Sequence, residues 1–172
     1  MKRNKKIIYL LLVVAFLLMV PWWAGAPWSK TDYLVAGALV LGMGLLYEFV
    51  VRKGRNIVYR IAFGLILATE LLLIWINLAV GIIGSENHPA NLLYGGVIAL
   101  GLTGALLARF QPLGMARASV AMALTQALVP LIALMIWKSQ ITWTIFGANA
   151  FFALLFFGAA WLFRCSSLLD KK

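Results

Sequence analysis

Six apolar stretches, each near the length that crosses the hydrocarbon core of a bilayer, dominate this chain. They lie at about residues 7–25, 33–51, 57–83, 91–110, 116–137 and 142–163. A transmembrane helix needs about 20 predominantly apolar residues. With 64% hydrophobic and 12% charged residues, the chain is too apolar for a water-soluble globule, in which about 25% of residues are normally charged. We therefore predict an all-α integral membrane protein with six transmembrane helices.

The connections between these stretches are short and carry helix breakers or polar residues. They fall at residues 27–29, 52–55, 85–91, 111–114 and 138–140. Short connections favour antiparallel packing of consecutive helices. We therefore expect a series of hairpins that together form a single transmembrane helical domain over residues 1–172.

The basic residues fall on one side of the predicted spans. All of the 15 Lys and Arg residues except Lys30 and Lys138 lie on the side that also holds both termini. Cytoplasmic loops of membrane proteins carry the excess of Lys and Arg, so both termini are expected in the cytoplasm. Five Trp residues lie at the opposite ends, as in an interfacial aromatic belt: Trp22, Trp23, Trp28, Trp137 and Trp143.

The first apolar stretch allows a second interpretation, a cleaved signal peptide. Basic residues precede it, and Ala-Gly-Ala at residues 24–26 resembles a signal-peptidase site. Pro27 directly after that site and the bulky Trp22 and Trp23 shortly before it disfavour cleavage. A retained first helix is the preferred interpretation.

Composition argues against several function classes. The formal charge of +10 comes from basic residues that are distributed according to the side of the membrane and form no patch for nucleic acid. No nucleic-acid partner is therefore expected. One Cys, Cys165, and one His, His88, leave no disulfide framework and no dense metal cluster, so neither a metal nor another cofactor is expected. Cys165 lies beside Arg164 with no His near it in sequence, and the chain lacks a convincing nucleophile and base. We do not expect an enzyme.

Glu70 lies near the middle of the third stretch, where an ionisable group costs about 2.5 to 3.5 kcal/mol on insertion scales. Asn77 follows on the same helical face, and Thr103, Gln126 and Asn149 are polar residues of other spans. Two roles are open for Glu70. It is either a proton or cation site inside the bundle, or a protonated side chain that joins helices through Gln126 or Asn149. The scarcity of further polar groups favours the second role.

Residues 81–91 end one span and begin the next on the predicted outer face. Gly84 can close the earlier helix in a left-handed conformation, and Pro89 suits the first turn of the later one. Ser85 or Asn91 can cap that later helix. These residues predict a rigid turn.

Glu86 and His88 give this predicted turn its ligand-like side chains. They can contact a cation or an outer-face partner, although two ligands at positions i and i+2 are a weak metal signal, and no metal site is predicted. Trp75 and Asn77 form a neighbouring helical face.

The same region carries a distinctive pattern. Trp75 and Asn77 lead into Ala-Val-Gly-Ile-Ile-Gly-Ser-Glu at residues 79–86, and Pro-Ala-Asn-Leu follows at residues 89–92. The pattern resembles the signature of a family of small, uncharacterised bacterial inner-membrane proteins. The resemblance implies bacterial origin and a multi-pass inner-membrane location. It implies no activity, and it extends no role to His88 or Glu70.

These observations favour a non-enzymatic membrane protein that acts as an accessory or scaffold subunit of a membrane complex. Its partner would be another membrane protein or a second copy of the chain, within the lipid bilayer. The candidate interaction turn consists of Trp75, Ser85, Glu86, His88 and Asn91. The alternative is a small transporter or channel. Its polar core would consist of Glu70, Asn77, Gln126 and Asn149.

Overall fold

The computed structural model describes residues 14–16, 19, 21–23, 25, 28–51, 56–138 and 142–170. Five long α-helices account for most of this part of the chain. They are α1 (Lys30–Val51), α2 (Ile57–Ala79), α3 (Leu92–Leu107), α4 (Pro112–Ile136) and α5 (Trp143–Leu169), with a 3-10 helix at Pro89–Asn91 directly before α3.

All five helices, with the 3-10 turn counted into α3, are long and apolar enough to cross a membrane. They coincide with five of the six predicted stretches, and their composition is that of a polytopic membrane protein. The first predicted span lies largely outside the described residues. Of its described residues, 14–16, 19 and 21–23 are helical, and Gly25 lies in a turn.

The chain forms two compact units, residues 1–53 and 54–172. In the first unit, α1 begins with a reciprocal cap. The backbone N–H of Ser29 donates to Asp32 Oδ2 at 2.7 Å, and the backbone N–H of Asp32 donates to Ser29 Oγ at 3.2 Å. Two backbone N–H groups are thereby satisfied at the start of the helix, which fixes where α1 begins.

The second unit is a bundle of α2, α3, α4 and α5. Helices α4 and α5 share the most extensive contact, α3 packs on α4, and α2 packs chiefly on α5. The contact between α2 and α3 is sparse. We expected consecutive helices to pack as antiparallel hairpins; α2 instead packs chiefly on α5, where the aromatic side chains at its start meet the end of that helix.

One end of the bundle is fastened by Asn56 and Tyr59, and we call it the Tyr59 end. Asn56 Oδ1 caps α2 by accepting from the backbone N–H of Tyr59 at 2.9 Å. Its Nδ2 donates to the carbonyl of Ser166 at 3.1 Å and to Asp170 Oδ1 at 2.8 Å. The start of α2 is thus bound to the end of α5, which makes these two helices antiparallel.

The turn between α3 and α4 also lies at the Tyr59 end. The hydroxyl of Tyr59 donates to the carbonyl of Phe110 at 2.8 Å. Arg109 and Phe110 have φ of 48° and 57°, a left-handed conformation that is uncommon for residues other than glycine. The bond from Tyr59 helps to hold this tight reversal in place.

Candidate functional site

Two of the predicted core residues meet at the centre of the bundle. Gln126 of α4 and Asn149 of α5 are 0% and 1% exposed, and Gln126 Nε2 donates to Asn149 Oδ1 at 3.0 Å. Asn149 Nδ2 donates to the hydroxyl of Tyr94 at 3.0 Å and to the carbonyl of Ile145 at 2.8 Å. The side chain of Asn149 therefore links three helices through hydrogen bonds, which stabilise helix contacts in a bilayer.

Tyr94 was not among the residues predicted from the sequence. It lies in α3 and is 1% exposed. A phenol in an apolar span needs a hydrogen-bond partner for its hydroxyl, and this requirement is the signal that could have identified it. The predicted polar candidate Thr103, in contrast, is exposed on α3 and bonds to the carbonyl of Ala99 in its own helix at 2.7 Å.

Glu70 is buried at the contact of α2 with α3 and is 4% exposed. Its Oε1 lies against the backbone of Gly101, so close that a β-carbon on that residue would collide with it. The thioether of Met122 reaches the same place from α4, with its methyl carbon 2.7 Å from that β-carbon position. Among the described residues, no hydrogen bond joins the Glu70 carboxyl to Gln126 or Asn149. Those two amides bond to each other instead.

Three buried side-chain oxygens in the bundle have no hydrogen-bond partner among the described residues: Asn77 Oδ1, Gln126 Oε1 and Ser166 Oγ. The amide nitrogen of Asn77 donates to the carbonyl of Leu73, one turn earlier in α2, at 2.8 Å. The amide nitrogen of Gln126 donates to Asn149, and the amide oxygen, Oε1, has no partner. Both side chains thus retain capacity to accept a hydrogen bond.

The loop of residues 81–91 is tied together by Asn91. Asn91 Nδ2 donates to the carbonyls of Ser85 at 2.7 Å and Ile83 at 3.1 Å. Asn91 Oδ1 accepts from the backbone N–H of Ile83 at 3.0 Å. Three bonds from one side chain hold this loop in one conformation, and we call this end of the bundle the Asn91 end.

Glycine conformations shape both the start and the tip of this loop. Gly81 has φ of 73° and Gly84 has φ of 69°, and the N–H of Gly81 donates to the carbonyl of Ile76 at 3.0 Å. A β-carbon at Gly81 would collide with the carbonyl of Ser85. Gly81, and not Gly84 as predicted, therefore ends α2, because the helix stops at Ala79.

The cap of the next helical turn is His88. Its Nδ1 accepts from the backbone N–H of Ala90 at 3.2 Å, and its ring meets the Trp137 ring edge-on with centroids 5.6 Å apart. Pro89 follows as the first residue of the 3-10 helix, as predicted. The expected cap by Asn91 or Ser85 is wrong, because Asn91 has helical backbone angles and its side chain bonds back to the loop.

The remaining predicted turn residues point to the exterior or lie beside the loop. Ser85, Glu86 and Asn87 are exposed, and Asn87 Nδ2 donates to Glu86 Oε1 at 3.2 Å. Trp75 is half-buried in α2. Within the part of the chain that the structure describes, no three His, Cys, Asp or Glu side chains gather into a metal-binding group. His88 caps the 3-10 helix, and Glu86 accepts the hydrogen bond of Asn87 at the exposed tip of the loop.

Comparison with family models, with curated proteins and with solved structures found no match. The resemblance to the family of small inner-membrane proteins stays a prediction from residues 75–94.

Proposed function

We propose that this chain is a non-enzymatic, multi-pass protein of a bacterial inner membrane that serves as an accessory or scaffold subunit of a membrane complex. The observation that carries the proposal is the 81–91 loop. Asn91 holds this loop in one conformation, while Glu86 and Asn87 at its tip are exposed.

A loop fixed before binding suits a recognition surface. Association costs conformational entropy when a loop must become ordered, and a loop that is already ordered avoids much of that cost. The tip presents one carboxylate and one amide close together, a combination that suits a partner with hydrogen-bond donors or a basic side chain. Exposed, well-ordered loops on a rigid scaffold are common places for binding residues.

In the proposed orientation the Asn91 end faces away from the cytoplasm and both termini are cytoplasmic, with six spans. Support comes from the Lys and Arg distribution, in which only Lys30 and Lys138 lie at the outer side. Trp143, at the start of α5, is 89% exposed, as expected for a side chain at the membrane interface. The family resemblance supports the bacterial inner membrane.

A photo-crosslinking residue at Asn87 tests the proposal in cells of the native host. The matched control carries the same residue at Lys138, which is also exposed but lies in the other connection of the same end. We expect a discrete protein adduct from position 87 and no such adduct from position 138. Equal adducts at both positions, or none at position 87 with normal amounts of protein, would contradict the role of the loop.

A further inference from the structure

Three oxygen-bearing side chains of the second unit can accept further hydrogen bonds. Oδ1 of Asn77 and Oε1 of Gln126 are buried without a hydrogen-bond partner among the described residues. The carboxyl of Glu70, in a residue that is 4% exposed, shows no hydrogen bond with the described residues either. Buried polar atoms in native proteins normally have a partner, and those without one indicate a bound water, a bound ion or a functional role. All three are acceptors, so their missing partner is a hydrogen-bond donor or a cation.

The three side chains follow one another along the bundle. Glu70 and Met122 both meet Gly101 and so lie at about the same level. Gln126 is one turn beyond Met122 in α4, roughly 6 Å nearer the Asn91 end, and Asn77 is two turns beyond Glu70 in α2, roughly 10 Å nearer that end. The unfilled oxygens therefore lead from Glu70 toward the 81–91 loop.

Toward the other end, the described residues hold one further buried oxygen without a hydrogen-bond partner, Ser166 Oγ, which lies near the end of α5 and forms no series with Glu70. The interior there is filled by rings: Tyr59 lies 5.1 Å from Phe163 and 6.2 Å from Phe63, and Phe63 lies 6.2 Å from Phe110, measured between ring centroids. Ile66 of α2 is also buried between these rings and Glu70. This aromatic cluster closes the Tyr59 end.

The carboxyl of Glu70 lies where α2 and α3 meet. These two helices touch only sparsely, and at Gly101 the absence of a side chain lets the Glu70 carboxyl lie directly on the backbone of α3. A carboxylate in an apolar interior is costly unless a proton or a cation neutralises it. The described residues offer no basic side chain beside Glu70 for that purpose.

We infer that Glu70 is the inner end of a half-channel that opens at the Asn91 end and binds a small monovalent cation, a proton or Na⁺, with Gln126 and Asn77 as oxygen ligands along the way. The binding site goes beyond the scaffold role and does not depend on it. Only its sidedness relies on the proposed orientation.

The ionisable groups that the neighbouring helices turn toward this path are few. Tyr94 of α3 lies inside the bundle, bound to Asn149. In the described residues, the other ionisable groups of α3, α4, α5 and their connections lie at the ends of the bundle. Those at the Tyr59 end are Arg109, Arg117, Arg164, Cys165 and Asp170, and those at the Asn91 end are Glu86, His88 and Lys138. Glu70 is thus the group whose neutralisation the experiment follows.

Dicyclohexylcarbodiimide is the first probe, because this apolar reagent adds to protonated carboxyl groups and leaves a stable acylurea. We expect peptide mass spectrometry of the purified full chain to find the adduct on Glu70, with labelling lost as pH rises. If Na⁺ slows the labelling of Glu70 at constant pH and ionic strength, the bound cation is Na⁺. If labelling depends on pH and is unaffected by Na⁺, the bound cation is the proton. Exposed Glu86 is the internal control, and Glu70→Gln is the control variant. Labelling of Glu70 that is absent, or independent of both pH and Na⁺, would overturn the proposal.

Cysteine accessibility tests the opening independently. In a Cys165→Ser background, single cysteines at Asn77, Phe63 and Asn87 are treated in intact cells with a membrane-impermeant methanethiosulfonate. We expect reaction at positions 87 and 77 and none at position 63. Reaction at 87 without 77 would overturn the half-channel and leave the orientation intact. No reaction at position 87 in intact cells, with reaction at that position in inverted vesicles, would overturn the orientation. In that case the vesicles test the half-channel: reaction at position 77 and none at position 63 would support it, and no reaction at position 77 would overturn it.

Discussion

The carboxyl of Glu70 and the backbone of Gly101 occupy adjoining space, so that a single methyl group at residue 101 would overlap Oε1 of the carboxyl. The Met122 methyl carbon would also lie only 2.7 Å from that group. Added volume at Gly101 therefore affects α2, α3 and α4 together.

We predict that Gly101→Ala destabilises the bundle. Overpacking a well-packed interior typically costs about 1–3 kcal/mol, because side chains or backbone must shift. Gly95→Ala in the same helix is the matched control, since open space surrounds that position. Reversible unfolding of the two variants in mixed micelles measures the difference. Equal stabilities would mean that Glu70 and Met122 do not meet at Gly101.

The hydrogen bond between Asn149 and Tyr94 predicts an energetic coupling between α5 and α3. A double-mutant cycle with Asn149→Ala and Tyr94→Phe isolates this pair term. Hydrogen bonds between membrane helices average about 0.6 kcal/mol and reach about 1.7 kcal/mol, and we expect a coupling in this range. The control cycle pairs Asn149→Ala with Thr103→Val, because Thr103 is exposed and bonds within its own helix. Coupling of equal size in both cycles would contradict the linkage.

Asn91 is predicted to control the order of the 81–91 loop. Asn91→Asp keeps the acceptor for the Ile83 N–H but removes both donors and places a carboxylate oxygen near the carbonyls of Ile83 and Ser85. Leaving buried or crowded acceptors unpaired costs about 1–3 kcal/mol. Hydrogen exchange of the Ile83 and His88 amides should therefore accelerate, whereas Ser85→Ala, at an exposed side chain, should leave both rates unchanged. Unaltered exchange in Asn91→Asp would show that other contacts hold the loop.

The predicted orientation is open to a paired reporter experiment. A reporter fused after Lys172 should show cytoplasmic activity, and one fused after Asn87 should show activity outside the cytoplasm, because the basic residues mark the inner side. Extracytoplasmic activity of the reporter fused after Lys172 would contradict either the six-span arrangement or its orientation. The same location for both reporters would mean that an even number of spans separates the two fusion sites, instead of the three that we predict.

The positions of the later five helices were predictable from the sequence because apolar length is a strong signal in membrane chains. Gln126 and Asn149 were predictable as core residues for a related reason. A polar side chain in an apolar span must find a partner, and few others were present. Pro89 was also placed correctly, since its fixed φ suits the first position of a helical turn.

Neighbour choice and loop geometry were not predictable in the same way. Connection length suggested that α2 would pack on α3, but α2 packs chiefly on α5, where Tyr59 meets Phe163, and such a fit depends on three-dimensional contacts. The loop contained two glycines that could each end α2. Which of them does so depends on the bonds of Asn91, eight residues after Ile83, which no local pattern reveals.

Native mass spectrometry of the protein, released with its lipid from the membranes of its own host, tests the accessory-subunit proposal most directly. The account predicts a complex that contains a second protein in fixed stoichiometry with this chain, and loss of that protein in Asn91→Asp but not in Ser85→Ala. A monomer or a homo-oligomer without a second protein, in wild type and both variants alike, would contradict it.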